Sequence, residues 1–298
     1  MAAVIGISIT GAALGEDDPR VSRTINRGWV FNYFPSADAS SGCEAPGFDD
    51  SRWPEIALPH TWSTFETTGE VHPYIRNASE KDDPYWWAGW GWYRKRFALG
   101  EELKDKRIFV ELDGVQKFCR VFVNGKHIGD HKGGFASFSF EVTDAVRIGQ
   151  ENVLAVAVNN LRIDEHQIPP MAAGNWNVYG GIYRDVRIVA KDKLHIPFQG
   201  SADHEGGTFI TTPKVTAEQA TVRVRTWVRN DFGSEIQCLL ASEILDPDGK
   251  GVQRIESVAS IAPGKVHEFD QQSKPILKPR LWSPDSPTMY QVVSYVYQ

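Results

Sequence analysis

Cysteine is scarce in this 298-residue chain: Cys43, Cys119 and Cys238 are odd in number, far apart, and form no CxxC pair. That excludes a disulfide framework and a cysteine-based metal or redox centre. Long apolar runs are missing too, because the most membrane-like stretch, Ala2 to Leu14, is about half the ~20 residues a spanning helix needs. Positive charge is in deficit, with 32 Lys+Arg against 38 Asp+Glu and a net charge of −6. A chain without a basic stripe is unsuited to neutralising phosphates, so nucleic acid is not an expected partner, and neither is a membrane. Helical periodicity is absent as well: no window repeats apolar residues at i, i+3, i+4, i+7 over three turns. No GxSxG, GxxxxGK or GxGxxG stands at a strand-to-helix turn, which removes serine-hydrolase and nucleotide chemistry and leaves no cofactor expected.

What is present is material for a core: 41% hydrophobic residues, including 15 Phe, 9 Tyr and 10 Trp, with 23% charged. Period-2 alternation recurs from about Ile108 onward and predicts an all-β chain. Ile108, Val110 and Leu112 share one face of a strand. The run Phe118 to Val123 leads through Asn124-Gly125 into Lys126-His127-Ile128, and Asn-Gly between two such runs predicts a type I′ hairpin. Phe138, Phe140 and Val142 alternate with polar residues, whereas Val153 to Val158 is apolar on both faces and predicts a buried strand. Ile182 to Val189 is expected to close this set as one strand, followed by a crossing segment at Lys191 to Ile196. Glycines and Pro197 then mark a boundary. Val222, Val224, Thr226 and Val228 form one face of another strand. Ile236 to Ile244, a turn at Asp246-Pro247-Asp248-Gly249, and Met289 to Tyr297 complete a second set. The spacing divides the chain into residues 1–20, a first sandwich at 21–193, and an immunoglobulin-like sandwich at 194–298. Ala2 to Leu14 has the small residues of the end of a secretory signal but lacks preceding basic residues; a plain N-terminal strand or tail is the other reading. The signal reading favours a secreted or periplasmic location over the cytoplasm, and Asn77-Ala78-Ser79 is a glycosylation sequon.

Five motifs follow one another: Phe48-Asp49-Asp50-Ser51-Arg52-Trp53; Leu58-Pro59-His60-Thr61-Trp62; Gly91-Trp92-Tyr93-Arg94-Lys95; Asp113-Gly114-Val115 with Val123-Asn124-Gly125-Lys126; and Gly181-Ile182-Tyr183-Arg184-Asp185-Val186. Together they resemble the N-terminal sugar-binding domain of glycoside hydrolase family 2, over about residues 24–193. The stretch with Pro279-Arg280-Leu281-Trp282-Ser283-Pro284 is similar to the family's following immunoglobulin-like domain. The resemblance implies a jelly-roll-like, galactose-binding-domain-like sandwich first. Thr61 departs from the Asp that the family often has, and Ile168-Pro169-Pro170 to Asn175-Trp176-Asn177 replaces the Arg-Trp-Tyr approach of many members.

The resemblance also implies a catalytic (β/α)₈ barrel after the two sandwiches, and a barrel takes ~250 residues. A retaining glycosidase needs two carboxyl groups about 5–5.5 Å apart; the family carries one in an Asn-Glu pair, and this sequence has no Asn-Glu. No catalytic residue is therefore expected here. Four tryptophans crowd residues 86–92, and an indole offers a rigid face to the C–H side of a sugar ring. Trp86, Trp87 and Trp90 are the candidate sugar contacts, against packing; Trp92 and Tyr93 are expected to be structural. Asp164, followed by Glu165, lies in the loop where β-galactosidases of the family send an acidic side chain toward the sugar, and a carboxylate accepts hydrogen bonds from hydroxyls. The alternative for it is a solvated loop charge. His127 and His131 are four apart but not on a predicted helix, so no metal site is expected. His60 reads as a packed loop residue. The preferred function is the non-catalytic portion of a retaining, β-galactosidase-like β-glycosidase, which braces the barrel, shapes the cleft and supports a homo-oligomer, with a β-glycoside as ligand. A free-standing carbohydrate-binding module and a purely structural unit are the alternatives.

Overall fold

The computed structural model describes residues 6–7, 20–34, 41–62, 89–160, 180–199 and 206–298. The described secondary structure is strand, with a 3-10 turn at Glu101–Leu103. Two units separate, one of Arg20–Ala190 and one of Lys191–Gln298, to which the short strand β1 (Gly6–Ile7) adds by pairing parallel to Met289 and Tyr290.

In the first unit the strands are β2 (Val21–Thr24), β3 (Trp29–Phe34), β4 (Glu55–Ile56), β5 (Trp90–Ala98), β6 (Arg107–Leu112) and β7 (Val115–Gln116). They continue with β8 (Phe118–Val123), β9 (Lys126–Lys132), β10 (Phe138–Glu141), β11 (Glu151–Asn159), β12 (Gly181–Ile182) and β13 (Val186–Lys191). A six-stranded sheet, β4-β3-β5-β11-β8-β9, faces a four-stranded sheet, β10-β6-β13-β2, and the small pair β12-β7 joins them. Between the sheets lies a core of Ile108, Val110, Leu112, Val121, Val123, Leu154, Val156 and Val158. Burying such side chains supplies roughly 1.5–3 kcal/mol each before the entropy of ordering is subtracted. β11 is apolar on both faces because both are covered: Leu154, Val156 and Val158 face that core, while Ala155 and Ala157 face a second cluster on the far side of the sheet.

The β8–β9 hairpin forms as its sequence predicts, with Val123 opposite Lys126 and positive φ at Asn124 (52°) and Gly125 (82°). Asn124 adds a second function, since its side chain donates to Ala145 O and accepts from Val153 N, tying the turn to β11. Ile182 to Val189 is not one strand: Ile182 pairs with Val115, and only from Val186 onward does the chain join β2. The switch is held by Asn26, which donates to Asp185 and accepts from Val186 N, two contacts that a sequence pattern cannot reveal.

The second unit comprises β14 (Leu194–His195), β15 (Thr208–Val215), β16 (Gln219–Asn230), β17 (Ile236–Leu245), β18 (Gly251–Ile261), β19 (Val266–Gln272), β20 (Ile276–Leu277) and β21 (Met289–Tyr297). β16 is the spine of one sheet and pairs with β14, β15, β19 and β20; the other sheet runs β1-β21-β17-β18. Val222, Val224 and Val228 are buried on the face of β16 read from the alternation. The segment expected only to cross between units contains β14. β15, β18 and β19 escaped the sequence pattern because each has one wet face or an open edge; β15 even carries Pro213 beside a bulge.

Replacing Gly125 by Val should destabilise the first unit by roughly 1–3 kcal/mol, because a β-branched residue is strained at positive φ; urea unfolding measures it, and an unchanged midpoint refutes the turn's energetic role. In the second unit, burial together with Lys191 lowers the His195 pKa to about 4. A base whose folded pKa lies below its unfolded value near 6.5 contributes stability that is complete above pH 6.5 and lost as pH falls toward 4. The loss is about 3 kcal/mol, and His195→Gln should flatten that part of the stability–pH curve.

Candidate functional site

At one end of the six-stranded sheet, Phe34, Trp90, Asn159, Phe118 and Lys132 stand in register across β3, β5, β11, β8 and β9. The chain beyond this row contains Trp86, Trp87 and Asp164, which lie outside the described residues. The residues that flank those stretches are placed, and they are bonded to one another. Asn160 N donates to Gly89 O at 3.3 Å, and Gly89 N donates to Asn160 Oδ1 at 2.9 Å. Trp62 N donates to Gly180 O at 3.1 Å. Trp62, Gly89, Asn160 and Gly180 therefore meet at one end of the sheet.

That end is braced by the Leu58-Pro59-His60-Thr61-Trp62 motif. Trp62 is fully buried and stacks on Phe31 with ring centroids 5.9 Å apart. A Cβ on Gly180 would lie 1.9 Å from the Trp62 ring, so only glycine allows the two segments to meet there. His60 Nδ1 shares a hydrogen bond with the Tyr93 hydroxyl at 2.8 Å, and His60 N donates to Ile182 O. Three of the sequence motifs thus converge, and His60 is the packed loop residue it was expected to be.

Trp90 and Trp92 point to the outer face of the sheet, where residues 41–53 cover them with Cys43, Phe48 and Trp53. Trp90 keeps 7% of its surface exposed, with Phe118 against its edge and the Arg120 guanidinium 5.5 Å over its ring. It therefore offers little surface to a sugar ring in this chain. Trp92 and Tyr93 are buried, as expected for structural residues.

The cover is held by charge. Arg94, with a wholly buried side chain, donates from Nε to Asp50 Oδ2 at 2.7 Å and from Nη1 to Cys43 O. Arg96 Nη1 reaches both Asp50 oxygens at 3.1 and 2.8 Å. Burial pushes the Asp50 carboxyl up, but the hydrogen bonds from Arg96 and Arg94 outweigh it and hold the group below the usual carboxylate range. On the other side of the fold, Arg187 pairs with Asp113 at 2.5 and 2.6 Å, and the Tyr183 hydroxyl donates to Gly134 O.

Sequence reading overlooked the buried polar groups beside the row. Gln116 and Lys117 precede β8, and Asn159 and Asn160 end β11, all nearly inaccessible to solvent. The two asparagines directly after an apolar strand were the available signal. The histidine pair is divided by a bulge between Val121 and Phe122, which places His127 opposite Phe122 and His131 opposite Cys119, on opposite faces of β9. His127 bonds Asp130 at 2.7 Å and His131 stacks on Phe138. Among the described residues no three His, Cys, Asp or Glu side chains cluster as metal ligands. The thiols are buried and unpaired; burial pushes Cys43 up to about 12 and Cys238 to about 11, far from the thiolate a nucleophile needs.

The sequence profile described as glycosyl hydrolases family 2, sugar binding domain, matches residues 23–192, and that of glycosyl hydrolases family 2 matches residues 207–298. The chain belongs to glycosyl hydrolases family 2. Among its relatives, a β-glucuronidase of Formosa agariphila is 30% identical over 84% of this chain and 25% of its own length. A β-galactosidase of Bacteroides ovatus is 28% identical over 93% of this chain and 30% of its own. The crystal structure of Bacteroides uniformis β-glucuronidase superposes with a TM-score of 0.80 at 34% identity, covering 94% of this chain and 30% of that one. The chain thus spans between a quarter and a third of these relatives. A jelly-roll-like sandwich followed by an immunoglobulin-like one is the family's fold here, as its motifs implied.

Asp50→Ala should cost about 3–5 kcal/mol, because it leaves the Arg94 guanidinium buried without its counter-charge. The pH dependence provides a second readout. With its folded pKa depressed, Asp50 contributes stability that is present above about pH 3.9 and lost as pH falls below that value. Asp50→Asn should therefore lie below the wild type at neutral pH and converge with it in acid; parallel curves would refute the assignment.

Proposed function

We propose that this chain is the non-catalytic N-terminal portion of a retaining β-glycosidase acting on β-glucuronides or β-galactosides. Its two sandwiches brace a catalytic barrel, and the loop end of the first forms one wall of the substrate cleft. Membership of the family and the quarter-to-third share of the relatives' length support the first part. The single observation that carries the second is the gathering of Trp62, Gly89, Asn160 and Gly180 at one end of the sheet. Trp87 and Trp86 are two and three residues before Gly89 in the sequence, and Asp164 is four residues after Asn160. Trp86 and Trp87 are proposed to offer ring faces, Asp164 to accept sugar hydroxyls, and Trp90 to support them from beneath. The modules are proposed to be residues 21–193 and 194–298.

The carboxyl pair that cleaves the glycoside belongs, in this reading, to polypeptide beyond this sequence. The purified chain should release no aglycone from aryl β-glucuronides or β-galactosides above the uncatalysed rate, and turnover that survives further purification would overturn the reading. Extending the chain with the reading frame that follows it in the gene should restore hydrolysis. In that enzyme, Trp86→Ala and Asp164→Asn should raise KM while thermal stability is kept, as for lost binding contacts. An extended frame that lacks a barrel would instead select a free-standing carbohydrate-binding module.

A further inference from the structure

β18 is the edge of its sheet, and among the described residues no strand pairs with its outer side over the eleven residues Gly251–Ile261. Edge strands present unpaired backbone N–H and C=O groups, and soluble proteins commonly blunt them with lysine, proline, bulges or short length. β18 has neither lysine nor proline, and its bulge, opposite Ile244 and Leu245, is confined to one end. Its outward face carries Val252, Arg254, Glu256 and Val258, with Val258 59% and Val252 41% exposed. The two charges are of opposite sign and already bonded to each other, Arg254 Nε to Glu256 Oε1 at 2.8 Å.

The order Val252-Gln253-Arg254-Ile255-Glu256-Ser257-Val258 is chemically symmetric about Ile255. Laid antiparallel on itself with Ile255 opposite Ile255, the strand sets Arg254 opposite Glu256 and Gln253 opposite Ser257, all short of the bulge at Val252. Every charge then meets its opposite on the outer face. On the inner face the partly buried Ile255, which packs against the core of this unit, gains an equivalent neighbour. Opposite charges directly across a strand pair stabilise it, and like charges there destabilise it. The same outer face continues onto β21, where Tyr295 and Tyr297 are 39% and 42% exposed and Arg254 lies 5.8 and 6.0 Å from their ring centres.

We propose that a second copy of this chain docks on β18, with a twofold axis through Ile255, so that two four-stranded sheets join into one. A twofold contact requires self-complementarity of this kind. The proposal is independent of the glycosidase reading, since it concerns the immunoglobulin-like unit and no ligand.

Charge exchange tests it. Sedimentation equilibrium of the chain should show a monomer–dimer equilibrium at micromolar concentration. Arg254→Glu alone sets Glu against Glu twice, and Glu256→Arg alone sets Arg against Arg twice, so each should weaken self-association by about tenfold or more. Mixing these two variants should restore association as a heterodimer, because each strand then faces the opposite charge. The double variant R254E/E256R should dimerise like the wild type. Both residues are exposed, and thermal melts of each variant verify that the fold is kept. A wild-type chain that stays monomeric, single variants that self-associate undiminished, or a mixture that fails to associate overturns the proposal.

Discussion

The first sandwich is organised around the Arg94 guanidinium, which lies fully inside the protein. A buried cation requires a counter-charge and hydrogen-bond acceptors, and here both come from one segment, Asp50 and the Cys43 carbonyl. Satisfying Arg94 therefore draws residues 41–53 across the outer face of the six-stranded sheet. Once that segment is in place, Trp90, Trp92, Phe118, Ala155 and Ala157 have a cover, and β11 can be apolar on both faces. Remove the ion pair and the reason for that layer disappears.

The loop end gains its rigidity from the same economy. β5 contributes Trp90 and Trp92 to the outer cluster, Tyr93 to the inter-sheet core and Arg94 to the ion pair, so its entry at Gly89 is fixed from both sides. Trp62 closes the other pair of flanks against Gly180. Trp62, Gly89, Asn160 and Gly180 thus hold positions that are set by packing and by their hydrogen bonds to one another. The immunoglobulin-like unit is built differently, on a long central strand with salt-bridge ladders such as Arg223–Asp270 and Arg225–Glu268 on its exposed face. Exposed pairs of that kind contribute little stability, so the valine face of β16 carries the fold.

Much of this was legible beforehand because it depends on near neighbours in the chain. Alternation at Val222–Val228, the apolar run Val153–Val158 and the Asn124-Gly125 turn express local backbone geometry, and the five motifs carried the family. The division of Ile182 to Val189 was not legible, since the break is set by Asn26, some 160 positions away. Nor could composition show that one bulge would separate His127 from His131, or that Trp90 would be covered by residues 41–53.

By itself, the sequence determined that the chain is all-β, that it forms two sandwiches of the glycosyl hydrolase family 2 type, and that it lacks the family's Asn-Glu pair. Only the tertiary structure decided which polar residues are buried partners rather than surface charges, that Trp62 and Gly89 meet Gly180 and Asn160 at one end of the sheet, and which sheet edge is unpaired among the described residues. The physical reason is that periodicity and turn chemistry act within a few residues, whereas a buried charge, a close glycine contact or an unpaired edge is defined by segments that meet only when the chain has folded.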